Sequence, residues 1–327
     1  MTQSIRWGIL STGRIAHQFA NGLNDLPDTE LVAVGSRSVK SANIFADQFN
    51  IPNRYGSYEE LVRDPNIDVI YIATPHNLHK DNMMMCLESG KAVLCEKPFT
   101  INQQEAKSVI QMARKKKIFV MEAMWTRFLP HIIKVQEMIS EGLIGEPRIL
   151  QASVGFQKPF DPTGRHFNPK LAGGALIDVG IYATTLSYLI FGQPTHIKSF
   201  GNLSSAGVDQ EGVITFQHEN GQLTYFSTTI LYHMPRDATI IGSKGSIYIH
   251  PDFWHPSQIS LRLNNEPERL IDVPCPLNGY HYQVLEVNDC IRQKKEESKI
   301  MPLDETLTVL GILDEIRNQW GLKYPME

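Results

Sequence analysis

Three residues that can move protons stand at positions where chemistry is possible. Lys97, followed by a proline, comes at the end of the apolar run Ala92–Cys95, which has the composition of a buried strand. Open parallel sheets bind ligands at the carboxyl ends of their strands, so this lysine would face a ligand. Asp178 and Tyr182 are four residues apart in a long apolar segment, a spacing that places both on one helix face. Because burying such groups without a partner is unfavourable, all three are catalytic candidates.

Each candidate also has an ordinary structural interpretation. Lys97 can be a solvated residue at the end of a strand. Asp178 can stabilise the N-terminal dipole of its helix, and Tyr182 can be an amphipathic residue of the core.

A second motif, Gly8-x-x-Ser11-x-Gly13-x-x-Ala16, follows the first apolar run of the chain. A strand that enters a helix through a glycine turn receives the pyrophosphate of a dinucleotide at the helix N-terminus. Gly13 lets the backbone approach the phosphates. Ser11 stands where the fingerprint usually has its first glycine, so a purely structural turn is the alternative. The predicted contacts of this turn are Gly8, Ser11, Thr12, Gly13, Arg14 and Ile15.

The end of the next strand predicts which nucleotide binds. An NAD enzyme usually has Asp or Glu about 20 residues after the turn, where it holds the ribose 2′-hydroxyl. Here the strand end reads Gly35-Ser-Arg-Ser38 and contains no carboxylate. Arg37 can donate to a 2′-phosphate, with the hydroxyls of Ser36 and Ser38 beside it. We therefore predict NADP rather than NAD, and the alternative is an arginine on a surface loop.

A third strand end, Ala73–His79, belongs to the same predicted cleft. Thr74 and His76 can line the ribose or the nicotinamide, and His79 opens the next helix. Packing or capping is the alternative for either histidine. Taken together, the three strand ends favour a nicotinamide-dependent oxidoreductase.

Strand and helix patterns alternate through the first third of the chain, as far as Met121. Such alternation predicts βαβ units and a doubly wound parallel sheet. Strand-like runs follow from Thr195 to Ile249, and Asn220-Gly221 between two of them indicates a hairpin. We predict an α/β Rossmann domain over residues 1–122. Residues 123–327 are predicted to form an α+β substrate-binding and dimerisation domain with a large, mostly antiparallel open sheet.

Composition limits the possible partners. The 327 residues include 31 basic and 35 acidic side chains, so neither nucleic acid nor a membrane surface is expected as a partner. No apolar stretch approaches the ~20 residues of a membrane helix. The first strand begins at Ile5, which leaves no room for a signal peptide. The four cysteines form no CxxC pair, so we expect free thiols, no metal and a cytoplasmic protein.

Five segments carry a resemblance to a known family: GILSTGRIA, ATPHNLH, CEKP, MEAMWTRFLP and GGALIDVGIY. They resemble the Gfo/Idh/MocA oxidoreductases. Within this family they are most similar to the dihydrodiol dehydrogenases, which also act as NADP-dependent D-xylose dehydrogenases. The resemblance runs essentially from end to end. Many members have histidine where Tyr182 stands, so the tyrosine favours this branch over the inositol dehydrogenases.

The resemblance implies that Lys97 and Tyr182 act on the substrate hydroxyl, with Asp178 nearby. Trp125 and Arg127 would border the cofactor and substrate pocket, and Glu96 would join Lys97 at the cofactor. The implied reaction transfers hydride between a nicotinamide and a secondary alcohol or carbonyl of a cyclic polyol, sugar or trans-dihydrodiol. A keto-sugar reductase of the same family is one alternative. A regulatory protein that binds NADP without turnover is the other.

We expect Tyr182 to be the general acid/base and Lys97 its electrostatic partner, with Asp178 orienting the substrate or Lys97. A sheet covered by helices on one side leaves an apolar face, and Leu223–Leu231 has the composition to bury it against another subunit. We therefore expect a symmetric homodimer through the sheet of the C-terminal domain.

Overall fold

The computed structural model describes residues 4–23 and 26–327, and the chain divides into two compact units. The units consist of Met1–Trp125 with Pro276–Leu307, and of Thr126–Cys275 with Thr308–Glu327. The sequence-based division places the whole of 123–327 in the second domain. In the structure, by contrast, residues 276–307 belong to the first unit.

Two hydrogen bonds join residues 276–307 to the first unit. Trp7 Nε1 donates to Asn288 Oδ1 at 3.0 Å, and Asn288 Nδ2 donates to Thr29 Oγ1 at 2.7 Å. Trp7 is fully buried, so its indole N–H requires a partner inside the protein. That partner lies 281 residues further along the chain, a separation at which no local sequence pattern reports a pairing.

The first unit is built on a parallel sheet. Its strands are β1 (Ile5–Leu10), β2 (Thr29–Gly35), β3 (Asn53–Tyr55), β4 (Val69–Ile72), β5 (Ala92–Glu96) and β6 (Val120–Ala123). They lie in the order β3-β2-β1-β4-β5-β6, which confirms the predicted Rossmann sheet. The order reverses between β1 and β4, and doubly wound sheets bind ligands in the crevice outside the carboxyl ends at this point.

Nine α-helices are found in the described residues. They are α1 (Arg14–Leu23), α2 (Val39–Phe49), α3 (Tyr58–Arg63), α4 (His79–Glu88), α5 (Gln103–Lys116), α6 (Pro130–Ser140), α7 (Ile181–Phe191), α8 (His281–Arg292) and α9 (Leu303–Trp320). Local chemistry sets several of their ends. Asn102 caps α5 by accepting a hydrogen bond from the N–H of Glu105 at 2.8 Å, and the basic cluster Arg114–Lys117 ends the same helix.

The second unit is built on a mixed sheet of eight strands. They are β7 (Pro147–Gly155), β8 (Pro194–Leu203), β9 (Asp209–His218), β10 (Leu223–Thr229), β11 (Ala238–Gly242), β12 (Gly245–Ile249), β13 (Ile259–Leu263) and β14 (Arg269–Ile271). Their order is β14-β13-β12-β11-β7-β10-β9-β8, and only β7 and β10 pair in parallel. This confirms the mostly antiparallel sheet. The predicted hairpin at Asn220-Gly221 joins β9 to β10, and Gly221 has a φ of 77°.

One face of this sheet is buried under a helical segment, and the other is exposed. Along β9, Ile214 and Phe216 are buried, whereas Val213, the residue before Ile214, is exposed. A π-helical segment, Leu176–Gly180, packs against β7, β9 and β10, and α7 continues from it. Large apolar side chains are exposed on the strands β8, β9 and β10: Phe200, Val213, Leu223 and Tyr225.

One helical run, Pro169–Phe191, is long and apolar enough to cross a membrane by length and composition alone. From the sequence we expect no such stretch. In the structure 78% of its most apolar window is buried inside the protein. Packing in the core therefore accounts for its composition.

Candidate active site

The turn between β1 and α1 has the geometry that a dinucleotide pyrophosphate requires. The N–H of Ser11 donates to the carbonyl oxygen of Gly35 at 2.9 Å, and Ser11 has a φ of 98°. Glycine adopts this left-handed region without steric penalty, so the serine supplies the conformation of the missing first glycine. A Cβ on Gly13 would meet no atom closer than 4.0 Å, which leaves this position open to a ligand.

The other residues of the predicted turn have different surroundings. Gly8 lies inside β1, where a Cβ would come within 3.0 Å of Ile67 Cδ1, so this glycine serves strand packing. Thr12 and Ile15 are half-buried, and Arg14 is exposed at the first residue of α1. Unpaired N–H groups and the helix dipole favour an anion at such an N-terminus.

The segment between β2 and α2 consists of Ser36, Arg37 and Ser38. Ser36 is buried, and its N–H donates to the carbonyl oxygen of Tyr55 at 3.1 Å. Arg37 is exposed. Ser38 caps α2 by accepting from the N–H of Ser41 at 3.4 Å, so its hydroxyl also has a structural role. The acidic side chain that commonly holds an NAD ribose does not occur between β2 and α2.

His79 ties the ends of β4 and β5 together. Its Nδ1 lies 2.8 Å from the carbonyl oxygen of Pro98, and its Nε2 lies 2.9 Å from that of Thr74. A neutral imidazole can donate to only one of these oxygens. His79 is fully buried, and Thr74 Oγ1 accepts a hydrogen bond from Asn82. His79 therefore holds the loops after β4 and β5 together. His76 starts a short 3-10 helix before it.

The end of β5 presents Glu96 and Lys97 as predicted. The hydroxyl of Tyr71 donates to Glu96 Oε1, and the N–H of Lys97 donates to Glu96 Oε2 at 3.2 Å. Burial and the neighbouring carboxylate raise the pKa of Tyr71 well above its ordinary value. Lys97 is half-buried, and the Lys97–Pro98 peptide bond is cis. Glu96 thus holds the backbone of the lysine in place.

Glu122 is a buried carboxylate that the sequence analysis missed. It accepts hydrogen bonds from the N–H of Phe99 at 3.1 Å and from Thr306 Oγ1 at 2.9 Å. Burial raises the pKa of Glu122 to about 7, although both hydrogen bonds act in the opposite direction. It supports the segment that follows Lys97. A lone acidic residue in the apolar strand β6 is the only signal that the sequence offers.

In the second unit Asp178 has partners that spacing does not predict. Its Oδ1 lies 2.6 Å from Arg165 Nη2, and its Oδ2 lies 3.7 Å from His166 Nε2. Both partners come from the loop 157–168, which precedes this helical segment in the chain. Asp178 itself is buried in the π-helical segment, whereas Arg165 is half-exposed. The aspartate therefore fixes a cationic loop residue beside the helix that carries Tyr182.

Aromatic stacking places two further candidates. Tyr182 is buried and stacks on Trp254, with ring centroids 5.6 Å apart. Trp125 stacks on Tyr280 at 4.3 Å within the first unit. Arg127 is half-buried in the second unit. Neither Trp254 nor Tyr280 is marked by a motif, so the sequence gives no indication of these pairs.

The structure therefore collects the predicted residues into two groups. The carboxyl ends of β1, β2, β4 and β5 bring together the glycine turn, Arg37, Thr74 and Lys97 in the first unit. Asp178 and Tyr182 lie in one helical segment of the second. Within the described part of the chain, no group of three or more His, Cys, Asp or Glu residues is arranged to hold a metal ion.

Each of the two units matches a known protein family. Residues 5–124 match the oxidoreductase family with an NAD-binding Rossmann fold, and residues 132–248 match the GFO/IDH/MocA C-terminal domain. A trans-1,2-dihydrobenzene-1,2-diol dehydrogenase from Xenopus tropicalis is 37% identical over 98% of this chain and 99% of its own. The protein of the same name from Homo sapiens is 34% identical, and the match covers 99% of this chain and 99% of its own.

Solved structures share the fold over almost the whole chain. An aldose-aldose oxidoreductase from Caulobacter crescentus, complexed with glycerol, has a TM-score of 0.88 at 21% identity and covers 97% of both chains. A 3-ketoreductase from Actinomadura kijaniata, in complex with NADP and TDP-benzene, has a TM-score of 0.87 at 22% identity, with 97% of this chain and 98% of its own covered. The chain thus belongs to the Gfo/Idh/MocA oxidoreductase family and is an NAD(P)-binding dehydrogenase that acts on CH–OH groups.

Proposed function

We propose that this protein oxidises a secondary hydroxyl of a trans-dihydrodiol, sugar or cyclic polyol, with NADP as the hydride acceptor. The observation that carries the substrate class is the 37% identity, over nearly the full chain, to a protein named trans-1,2-dihydrobenzene-1,2-diol dehydrogenase. The chain also has a strand-end lysine and a helix tyrosine, which are the residue types that alcohol oxidation uses for proton transfer.

The preference for NADP rests on Arg37. The open position at Gly13 and the left-handed Ser11 fit a pyrophosphate at the start of α1. Arg37, exposed just after β2, can donate charge-assisted hydrogen bonds to a 2′-phosphate, each worth roughly 1.5–3 kcal/mol. The nicotinamide supplies the hydride chemistry when it is bound. Ser11, Gly13 and Arg37 hold the dinucleotide through its phosphates.

Tyr182 is assigned as the general acid/base. Tyrosine has an ordinary pKa of ~10, so at neutral pH it needs a nearby positive charge to act as a base. Lys97 supplies this charge and donates a hydrogen bond to the substrate oxygen. An opposite charge within contact range shifts a pKa by ~1–3 units. Asp178, paired with Arg165, orients the substrate directly or through that guanidinium.

The test is absorbance in the reduced-nicotinamide band with a panel of trans-diols, aldoses and cyclic polyols, run with NADP and again with NADPH and keto-sugars. Turnover of NADP by a diol or aldose is the expected result. Faster turnover of NADPH by a keto-sugar would favour the reductase. Tight NADPH binding without turnover of any compound would favour the regulatory protein, the competing class.

A homodimer through the second sheet is part of the proposal. Phe200 is 83% exposed, and Val213, its cross-strand neighbour, is 53% exposed. Contiguous exposed apolar side chains on a sheet face are typical of a subunit interface. A reducing, cytoplasmic location is supported by the free cysteines, among which Cys86, Cys95 and Cys290 are buried.

A further inference from the structure

The helical segment that carries Asp178 and Tyr182 begins at a buried carboxylate with no role in the proposed reaction. Asp209, the first residue of β9, is fully buried, and its Oδ2 accepts a hydrogen bond from the N–H of Leu176 at 2.6 Å. Burial raises the pKa of Asp209 to about 6, and the N–H groups of Leu176 and Ala175 act against this rise. The carboxylate therefore lies at the amide end of the segment.

The turn before this segment is shaped around the carboxylate. Gly174 has a φ of 124°, and a Cβ at this position would overlap Asp209 Oδ1. Only glycine combines this backbone conformation with the absence of a side chain. The preceding residue, Gly173, accepts a hydrogen bond on its carbonyl oxygen from the hydroxyl of Tyr324 at 2.8 Å. Asp209 and Tyr324 thus hold two peptide groups of the same turn.

The anchored end continues directly into the π-helix Leu176–Gly180, which contains Asp178. Such segments are rare and occur frequently at functional sites. Their hydrogen bonds run from residue i to i+5, so a change to α-helix would move the residues on one side relative to those on the other. A fixed N–H at Leu176 opposes this movement. It thereby helps to keep Asp178 and Tyr182 in their observed places.

We propose that Asp209 is a positioning residue for the reaction, which fixes the amide end of this segment and thereby sets the positions of Asp178 and Tyr182. The inference rests on the proposed function, because it takes Tyr182 as the proton-transfer group. Stability does not account for the carboxylate. A buried acid with a raised pKa lowers the stability of the folded state at neutral pH.

The test places Asp209→Ala and Asp209→Asn in the wild-type and Tyr182→Phe backgrounds of the full chain. Asp209→Ala should lower kcat about 10–100-fold, as expected for misplacement of a catalytic group. NADPH affinity should stay within about threefold, since the glycine turn lies in the other unit. Asp209→Asn keeps an oxygen for the N–H of Leu176, so it should restore kcat to within about threefold of wild type without loss of thermal stability.

The Tyr182→Phe background separates positioning from general damage. There, Asp209→Ala should change kcat less than about threefold, because Asp209 acts on the rate through the proton-transfer hydroxyl of Tyr182, which this background already lacks. Thr224→Val is the matched control. Thr224 is also buried, and its hydroxyl lies 2.7 Å from Ser187 Oγ, further along α7 than Tyr182. This variant should lower Tm but keep kcat within about twofold of wild type.

Two outcomes would overturn the inference: Asp209→Ala keeps its kcat, or it loses the same factor in both backgrounds. If Asp209→Ala does not fold, Tyr324→Phe decides. It removes the bond to Gly173, should lower kcat about 3–10-fold in the wild-type background only, and overturns the inference if kcat is unchanged. Wild-type kcat in Tyr182→Phe itself would contradict the proposed function instead.

Discussion

The N–H of Ser11 donates a hydrogen bond to the carbonyl oxygen of Gly35 at 2.9 Å, and this bond joins the turn after β1 to the end of β2. In a doubly wound sheet these two strand ends hold the pyrophosphate and the ribose of a dinucleotide. Ser11 meets this geometry with a φ of 98°. A non-glycine residue in such a region carries a strain of about 1–3 kcal/mol.

Ser11→Gly should therefore stabilise the protein. Relief of strain outweighs the extra entropy that glycine loses on folding, which is about 0.5–1 kcal/mol, so the free energy of unfolding should rise by roughly 1 kcal/mol. Denaturant titration measures the change. Ser11→Ala is the control, because it removes the hydroxyl but keeps the strain. A glycine variant no more stable than the alanine variant would contradict the argument.

Arg37→Asp should change the nucleotide preference. It removes a donor to the 2′-phosphate and adds a carboxylate that can accept from a 2′-hydroxyl, so NADP should bind tens-fold more weakly while NAD binding improves relative to it. Titration of each nucleotide by calorimetry gives both affinities. Arg63→Gln, another exposed arginine of the same unit, should leave both unchanged. If the wild-type protein binds NAD as tightly as NADP, the prediction from this strand end is wrong.

The first sheet could be predicted from the sequence because each of its units is a local pattern. The first strand is predicted to begin at Ile5, and β1 begins at that residue. The edge strand β3 has only three residues, Asn53–Tyr55, too few to show a period, and it was missed. The π-helical segment was predicted as ordinary helix, because its apolar residues satisfy either geometry.

The supporting residues of the site could not be predicted because their partners are distant in sequence. Glu122 bonds to Thr306, 184 residues later, and nothing local in either segment indicates the other. Arg165 lies in a loop without periodicity, so its pairing with Asp178 follows from the fold and not from spacing. Motifs identified the residues proposed to carry the chemistry. The residues that hold them in place became visible only in three dimensions.

Glu122 should make stability depend on pH near neutrality. Because burial raises its pKa from 4.5 to about 7, the folded state binds its proton more tightly than the unfolded state. Its contribution to the free energy of unfolding is thus full below about pH 4.5 and is lost as the pH rises through 7. Glu122→Gln does not titrate, so its stability relative to wild type should rise by roughly 3 kcal/mol between pH 4.5 and 8.

Urea unfolding of wild type and Glu122→Gln at both pH values measures this difference. The loss of one hydrogen-bond acceptor in the glutamine variant is the same at each pH, so it cancels from the comparison. A difference that does not change with pH would show that the carboxylate is not held protonated in the folded state.

Phe200→Glu should convert the proposed dimer to monomer. A charge in the middle of the exposed apolar face of β8 and β9 would have to be desolvated when the two sheets meet, which is strongly unfavourable. Light scattering at micromolar concentration reports the mass. Leu270→Glu is the matched control, because Leu270 is 59% exposed but lies on β14 at the opposite edge of the sheet. A wild-type mass of 37.0 kDa would itself refute the dimer.

Tyr182→Phe and Lys97→Met should each abolish most of the activity. Loss of a proton-transfer group lowers the rate about 10²–10⁴-fold, and removal of the ammonium takes away the charge that favours tyrosinate. NADP affinity should stay within a few-fold in both variants, since neither change touches the glycine turn or Arg37. Steady-state kinetics across the pH range, with NADPH binding measured separately, distinguishes lost chemistry from lost cofactor. If Tyr182→Phe keeps its kcat at every pH, the tyrosine only packs against Trp254, and the base must be Lys97 or Asp178.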